Sequence, residues 1–295
     1  MHIRHSSASD RVFDIFNYVL MATILILIAY PLYFVVIASF SDPNLVNSGQ
    51  VYVIPKGFML DGYRRIFQMP SIWRGYANTI YYATVGCIIS VSLTISGGFA
   101  LSQRSLPGKN FFIAIFTFTM LFNGGLIPTY LLVRNLGLID SVWAMTLPGA
   151  VSVWNLIIAR TFFKNSLPED LAEAAEIDGC SQLGFFFRIA LPLSKALIAI
   201  IFLFYLVGYW NEFFKGIIYL RSSEKHPLQL VLRDILIIGS SSEMTQDIRD
   251  RILQQKTAEL VKYGIIIVST LPLMVVYPFI QKYFVKGVLI GSVKG

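Results

Sequence analysis

Apolar runs long enough to cross a membrane recur along this 295-residue chain, and they constrain the fold more than any single motif does. About 20 consecutive apolar residues span the hydrocarbon of a bilayer. Six stretches qualify as spans: residues 13–40, 76–101, 111–133, 142–163, 194–220 and 263–284. Charged residues make up only 14% of the chain, where soluble domains carry about 25%. Backbone polar groups have no water partner in lipid, so apolar spans of this length fold as helices. The expectation is an all-α integral membrane protein forming one transmembrane domain over 1–295, with no separate soluble domain. The first apolar run follows a short basic segment, 1–11. It is too long for a signal-peptide core and reads as a retained span.

Pro31, Pro128, Pro148, Pro272 and Pro278 fall inside these runs, and Asn123-Gly124-Gly125 interrupts the third. A freed backbone carbonyl in lipid must find another partner. Two readings stay open: a bundle with a partly hydrated pathway, or ordinary helix packing. The net charge of +7 places Lys and Arg in membrane-flanking loops. No nucleic-acid module is present. The short 102–110 segment carries Arg104 and Lys109 and no acid, which favours both termini on the cytoplasmic side. Cys87 and Cys180 lie in unlike environments, so neither a disulfide nor a metal site is expected.

Between the fourth and fifth runs lies a polar insert, residues 164–193. Ser166-Leu167-Pro168-Glu169 matches a capping box, with Ser166 as N-cap. Gly179 suits the residue that ends a helix. The spacing predicts a helix over 167–178, with Leu171, Ala174 and Ala175 on one flat face open to another protein. A second helix is expected over 182–189, and Pro192 then opens the fifth span. The product is a helix-turn-helix knob fastened to two spans. A helix lying on the headgroups is the alternative. At the other end of the fifth run, Trp210, Asn211 and Glu212 are candidates to line or gate a solute pathway, because a carboxylate in a span usually faces the bundle interior or water. Tyr205, Asn123, Asn155 and Trp154 are further pathway candidates. An aromatic belt at the outer interface is the alternative for Trp210. Arg160 and Lys215 read as snorkelling cations. The 51–63 segment reads as an external cap or a local packing loop.

The series Glu173-Ala174-Ala175, three residues, Gly179, nine residues, Ile189, one residue, Leu191-Pro192 resembles the signature loop of permease subunits in ABC importers. Nearly the whole chain is similar to the smaller permease subunit of maltose-type carbohydrate importers. It is closest to those for polysaccharides and complex oligosaccharides. That closer likeness is carried by Gly124-Gly125-Leu126-Ile127-Pro128-Thr129-Tyr130, Arg134-Asn135-Leu136-Gly137-Leu138, Leu147-Pro148-Gly149-Ala150, Trp210-Asn211-Glu212, Pro227-Leu228-Gln229 and Gly291-Ser292-Val293-Lys294-Gly295.

The resemblance implies a type I ABC importer fold with six spans and a cytoplasmic coupling helix. Glu173, Ala174, Ala175, Asp178, Gly179, Ile189, Leu191 and Pro192 would meet an ATP-binding subunit. The tail from 286, with Gly291, Ser292 and Lys294, would reach the ATPase pair. Implied partners are two ATP-binding subunits, a second non-identical permease, an extracytoplasmic solute-binding protein, membrane lipid and a carbohydrate substrate. No GxxxxGK[ST] occurs in the chain. ATP and magnesium therefore belong to the partner, and this chain is expected to need no cofactor and to be no enzyme itself. A secondary, ion-coupled transporter is the rival reading. It would want ionisable pairs within the spans and an internal repeat, whereas Glu212 stands nearly alone.

Overall fold

In a computed structural model, which describes residues 8–241 and 248–292, every regular element is helical. The order is α1 (Ala8–Ser39), α2 (Pro43–Asn47), α3 (Asp61–Gln68), α4 (Pro70–Ser102), α5 (Lys109–Leu121), α6 (Leu126–Asn135), α7 (Val142–Thr146), α8 (Val153–Ser166), α9 (Glu169–Ile177) and α10 (Gln182–Phe185). A π-helical turn at Phe186–Ala190 leads through α11 (Leu191–Leu193) to α12 (Lys195–Trp210), α13 (Phe214–Tyr219), α14 (Leu228–Ser241) and α15 (Ile248–Ser292).

Among the described residues, three helical stretches are each long and apolar enough to cross a membrane: Asp10–Ser39, Pro70–Ser102 and Ala258–Phe279. The other expected spans are broken. The third becomes α5 and α6, bent by 114°. The fourth splits at Leu147–Ser152 into α7 and α8. The fifth breaks at Asn211–Phe213, and an 80° bend at Ser194 separates α12 from the insert. Asn123, Ser152 and Asn211 side chains bond backbone groups at these breaks, and although Pro148 lies in one of them, α1 runs through Pro31, and α15 through Pro272 and Pro278. The sixth span starts earlier than expected, because α15 continues upstream to Ile248.

The chain divides into two compact units. The first comprises 1–69 and 234–270. Here Ile37, Ala38, Val46 and Val51 form a small core with Phe34 and Tyr263. The Asp42 carboxylate caps α2 by accepting from the Asn44 N–H at 2.8 Å. Tyr33 and Ser41 hydrogen-bond to the backbone of 53 and 56, while Tyr52, Val53, Ile54 and Phe58 point outward.

The second unit comprises 70–233 and 271–295. Its axis is α4, which packs against α8 and α12. Close approach is set by small residues: a Cβ on Gly86 would lie 2.4 Å from the Tyr209 ring. The α7–α8 break is stitched by two tyrosines one turn apart on α12. Ala150 donates to the Leu147 carbonyl, which leaves the Thr146 carbonyl without its helical donor. The Tyr209 hydroxyl donates to that carbonyl at 3.1 Å and meets Ser90 Oγ at 2.9 Å. The Ser152 N–H, at the start of α8, donates to the Tyr205 hydroxyl at 2.9 Å, which also meets Thr94 Oγ1 at 2.6 Å. Ser90, Thr94 and Thr146 are all fully buried, so these side chains satisfy groups that a continuous helix would have satisfied itself.

Candidate functional site

The insert begins differently from the sequence expectation. Ser166 is the last residue of α8, not an N-cap. Leu167 precedes a proline, which disfavours the α conformation, and it is extended at φ −107°, ψ 105°. Pro168 then takes the N-cap place of α9, and its carbonyl accepts from the Leu171 N–H at 3.2 Å. The far end stops where expected. Gly179 adopts φ +75°, its N–H donates to the Glu176 carbonyl at 3.0 Å, and the Cys180 N–H donates to the Ala175 carbonyl at 2.8 Å. That pair of bonds is a Schellman motif, which satisfies the helix's last carbonyls.

The face assignment also changes. Ala175 is buried, and Leu167, Leu171, Ala172 and Cys180 pack with it against Phe99, Phe163, Phe185 and Phe186. The Leu171–Ala175 face is therefore the insert's seat on its own chain. The outward face carries Glu173, Ala174 and Glu176, with Asp178 and Gly179 exposed at the helix end. Ile177 crowns it at 86% exposure. Asp170, Glu173, Glu176 and Asp178 are exposed and residues 169–178 hold no Lys or Arg, so the knob is an acidic surface with an apolar tip.

Ser181 caps the second helix by accepting from the Gly184 N–H at 3.1 Å. Helix continues through the π turn to Leu193, beyond the expected end at 189. Ile189 and Leu191 pack partly against the same core, while Pro192 is exposed. Pro192 does not open the fifth span; that helix begins at Lys195, after the bend. A groove of about 500 Å³ beside the second helix is lined by Phe99, Leu106, Leu183, Phe186 and Phe187.

The pathway candidates separate into distinct environments. Tyr205 is buried and committed to the α7–α8 stitch. Asn123 is exposed, and its Oδ1 accepts from the Gly125 N–H at 2.7 Å, building the α5–α6 break. Asn155 is buried in the first turn of α8, and no hydrogen bond reaches its side-chain amide among the described residues. Trp154 is exposed. Trp210 ends α12, buried at 5% exposure beside Tyr76, the ring centroids 6.1 Å apart. Asn211 is exposed and donates from Nδ2 to the Val207 carbonyl at 2.9 Å.

Glu212 does not stand alone, and Lys215 does not point away from it. The Glu212 Oε1 accepts from the Lys215 backbone N–H at 3.0 Å, capping α13. The Lys215 ammonium lies 3.6 Å from Glu212 Oε2 and 5.7 Å above the Tyr209 ring centroid. Gly291 and Ser292 belong to the last turn of α15, so the tail from 286 is helical as far as Ser292; Lys294 lies outside the described residues.

One cluster escaped sequence reasoning altogether. Asp140 sits at φ +59° between α6 and α7. Its carboxylate accepts from the N–H groups of Arg221 and Ser222 at 3.0 and 3.1 Å, from Ser222 Oγ at 2.8 Å and from Lys225 Nζ at 2.8 Å. The Lys225 ammonium, then the Ser222 hydroxyl and N–H, hold this carboxyl well below the usual carboxylate range. Tyr82 donates to the Lys225 carbonyl, and Asn78 to the carbonyls of Glu224 and His226, which straps the same segment to α4.

The chain matches, over residues 1–290, the family described as binding-protein-dependent transport system inner membrane component. It is 40% identical over 295 residues to protein LplC of Bacillus subtilis, covering 100% of this chain and 99% of LplC. It is 42% identical over 287 residues to the polygalacturonan/rhamnogalacturonan transport system permease protein YtcP of the same organism, covering 97% and 99%. Among solved structures, it is similar to a chain of a bacterial ABC transporter involved in the import of the acidic polysaccharide alginate. There the TM-score is 0.84, the identity 33%, and the coverage 95% of this chain and 99% of that one.

Proposed function

Since the chain belongs to the family of binding-protein-dependent transport system inner membrane components and is a sugar-type ABC importer permease, we propose that it moves oligosaccharides or polysaccharide fragments across the cytoplasmic membrane by alternating access, driven through the Glu173–Pro192 insert. The carrying observation is the insert itself, whose Schellman-closed helix is seated on the cluster of Phe99, Phe163, Phe185 and Phe186 and presents an acidic face and an exposed Ile177. An ATP-binding subunit docks on that face. ATP and magnesium are held there, and this chain hydrolyses nothing. Two such subunits, a second non-identical permease and an extracytoplasmic binding protein complete the assembly. The insert and both termini are cytoplasmic, and the broken stretches supply the spans beyond the three continuous ones, six in all. Tighter binding of ATP to one of two global states switches the permease pair between inward- and outward-facing forms. Relatives named for alginate and polygalacturonan make uronate-bearing oligosaccharides the first substrates to test.

The test is co-expression with the candidate ATP-binding subunit, second permease and binding protein, with Ile177→Cys in this chain and cysteines placed around the ATPase groove. The expected result is a cross-link at Ile177 and oligosaccharide uptake that requires ATP. Robust ATP-driven uptake by a complex with no cross-link anywhere on the insert would refute the assigned role of the insert.

A further inference from the structure

We infer that Lys215 recognises a carboxylate on the transported sugar, so that this permease favours acidic oligosaccharides of the uronate class. The assignment rests on the importer reading above and names the side chain that would give it selectivity. A lysine inside an apolar stretch is costly unless it faces a partner, the bundle interior or water. Lys215 lies within the fifth run, five residues past the end of α12, and its side chain turns to Glu212 and the Tyr209 ring. Their separation of 3.6 Å is an ion pair, longer than the roughly 2.7–3.2 Å of a hydrogen bond. The carboxylate holds the ammonium in place, yet leaves its three N–H donors room for another acceptor.

The two partners are not equally free to respond. Glu212 is fixed by its bond to the backbone of α13. Lys215 carries its charge on a flexible stem, as suits an anion that arrives and departs. Their side chains remain 21% and 25% exposed, within a ligand's reach. The setting is aromatic, with Tyr209 under the ammonium and the Trp210–Tyr76 pair on the preceding turn. Tyr209 and Trp210 are themselves buried, so the ammonium is the group a ligand would meet, and a uronate carboxylate is the acceptor that suits it. With Glu212 already at the ammonium, the attraction for a second carboxylate is moderate, which fits a pathway that must release what it binds.

The test uses the complete importer in proteoliposomes, with trigalacturonate and its fully methyl-esterified form as probes of similar shape and different charge. Variants are Lys215→Gln and Lys215→Arg, with assembly monitored by co-purification of the ATPase. The expected result is that Lys215→Gln shifts relative uptake away from the acid and toward the ester by about ten-fold, the effect of one charge-assisted contact. Lys215→Arg should retain most of the acid preference. An equal loss for both probes in Lys215→Gln, or an assembled Lys215→Arg complex without acid preference, overturns the assignment. Wild-type import of the neutral probe alone overturns it while leaving the importer reading intact. ATP hydrolysis that responds to neither probe counts against both.

Discussion

Replacing Tyr209 by Phe removes one oxygen atom and two hydrogen bonds, at a site where both can be weighed. The Tyr209 side chain is 8% exposed, its partner Ser90 is fully buried, and so is Thr146, whose carbonyl accepts the hydroxyl proton. A side-chain hydrogen bond between membrane helices contributes about 0.6 kcal/mol on average. A buried acceptor left without a donor costs about 1–3 kcal/mol. Ser90→Ala loses the first contribution and leaves the Thr146 carbonyl served. Tyr209→Phe loses both, because the Ala150 N–H that would otherwise serve that carbonyl is engaged at Leu147. The expected destabilisation is about 2 kcal/mol for Tyr209→Phe and about 0.6 for Ser90→Ala. At roughly 2–4 °C per kcal/mol, the two variants should lose about 6 °C and about 2 °C of apparent Tm. Heating the detergent-solubilised importer and following the surviving monodisperse fraction reads both. The double variant should be no worse than Tyr209→Phe by more than a few tenths of a kcal/mol, since the bonds share one hydroxyl. If Ser90→Ala proves as damaging as Tyr209→Phe, or if Tyr209→Phe leaves the Tm unmoved, the hydroxyl does not stitch the α7–α8 break.

Three further outcomes follow from the geometry. Gly179→Val should weaken the insert by about 1–2 kcal/mol through backbone strain alone, since no atom lies within 4 Å of the added Cβ, and Gly179→Asn should recover much of the ATP-driven uptake; equal uptake in all three would remove the left-handed turn from the argument. Ile177→Lys should leave the chain's own stability within about 0.5 kcal/mol while sharply reducing recovery of the ATP-binding subunit on affinity purification, and undiminished recovery would show the tip to be idle. Asp140 has a depressed folded-state pKa, so its contribution is complete above the ordinary value of 3.8 and is lost as pH falls through and below it. Asp140→Asn should lower stability at pH 7 by about 1–2 kcal/mol and flatten the acid limb of the Tm–pH curve, whereas an unchanged acid limb would mean that Asp140 is not among the groups responsible.

The sequence reading succeeded where local chemistry decides and failed where packing does. Gly179 was legible because only a left-handed residue closes this helix while serving its carbonyls. Ser166 was misread for a reason that was also local: Pro168 bars Leu167 from helix, so no helix starting at 167 can exist, and the last turn of α8 reaches Ser166 with Phe163 anchored in the core. The alanines of the insert looked like a flat exterior, yet Ala175 is small because it lies against the chain's own aromatic cluster. Glu212 and Lys215 stand three residues apart, a spacing visible in the sequence. What an unbroken span conceals is the break at Asn211–Phe213, which lets the Glu212 carboxylate cap α13 as well. The Asp140 clasp joins residues more than 80 apart, and no periodicity announces it. The Tyr205 and Tyr209 stitches are of the same kind: polar residues in apolar helices whose purpose appears only once a neighbouring helix is seen to be cut.

The seating of α9 bears on how quickly and how faithfully a displacement at the knob is passed on. A lever hinged only at its chain ends would swing within the slack of its two connections. This one also rests, through Leu171, Ala172 and the buried Ala175, on the cluster of Phe99, Phe163, Phe185 and Phe186. Movement of Ile177 is therefore passed to Phe99, and with it to the neighbouring turns of α4. The insert is thereby tied to the core of its unit by side-chain packing as well as by its two chain connections.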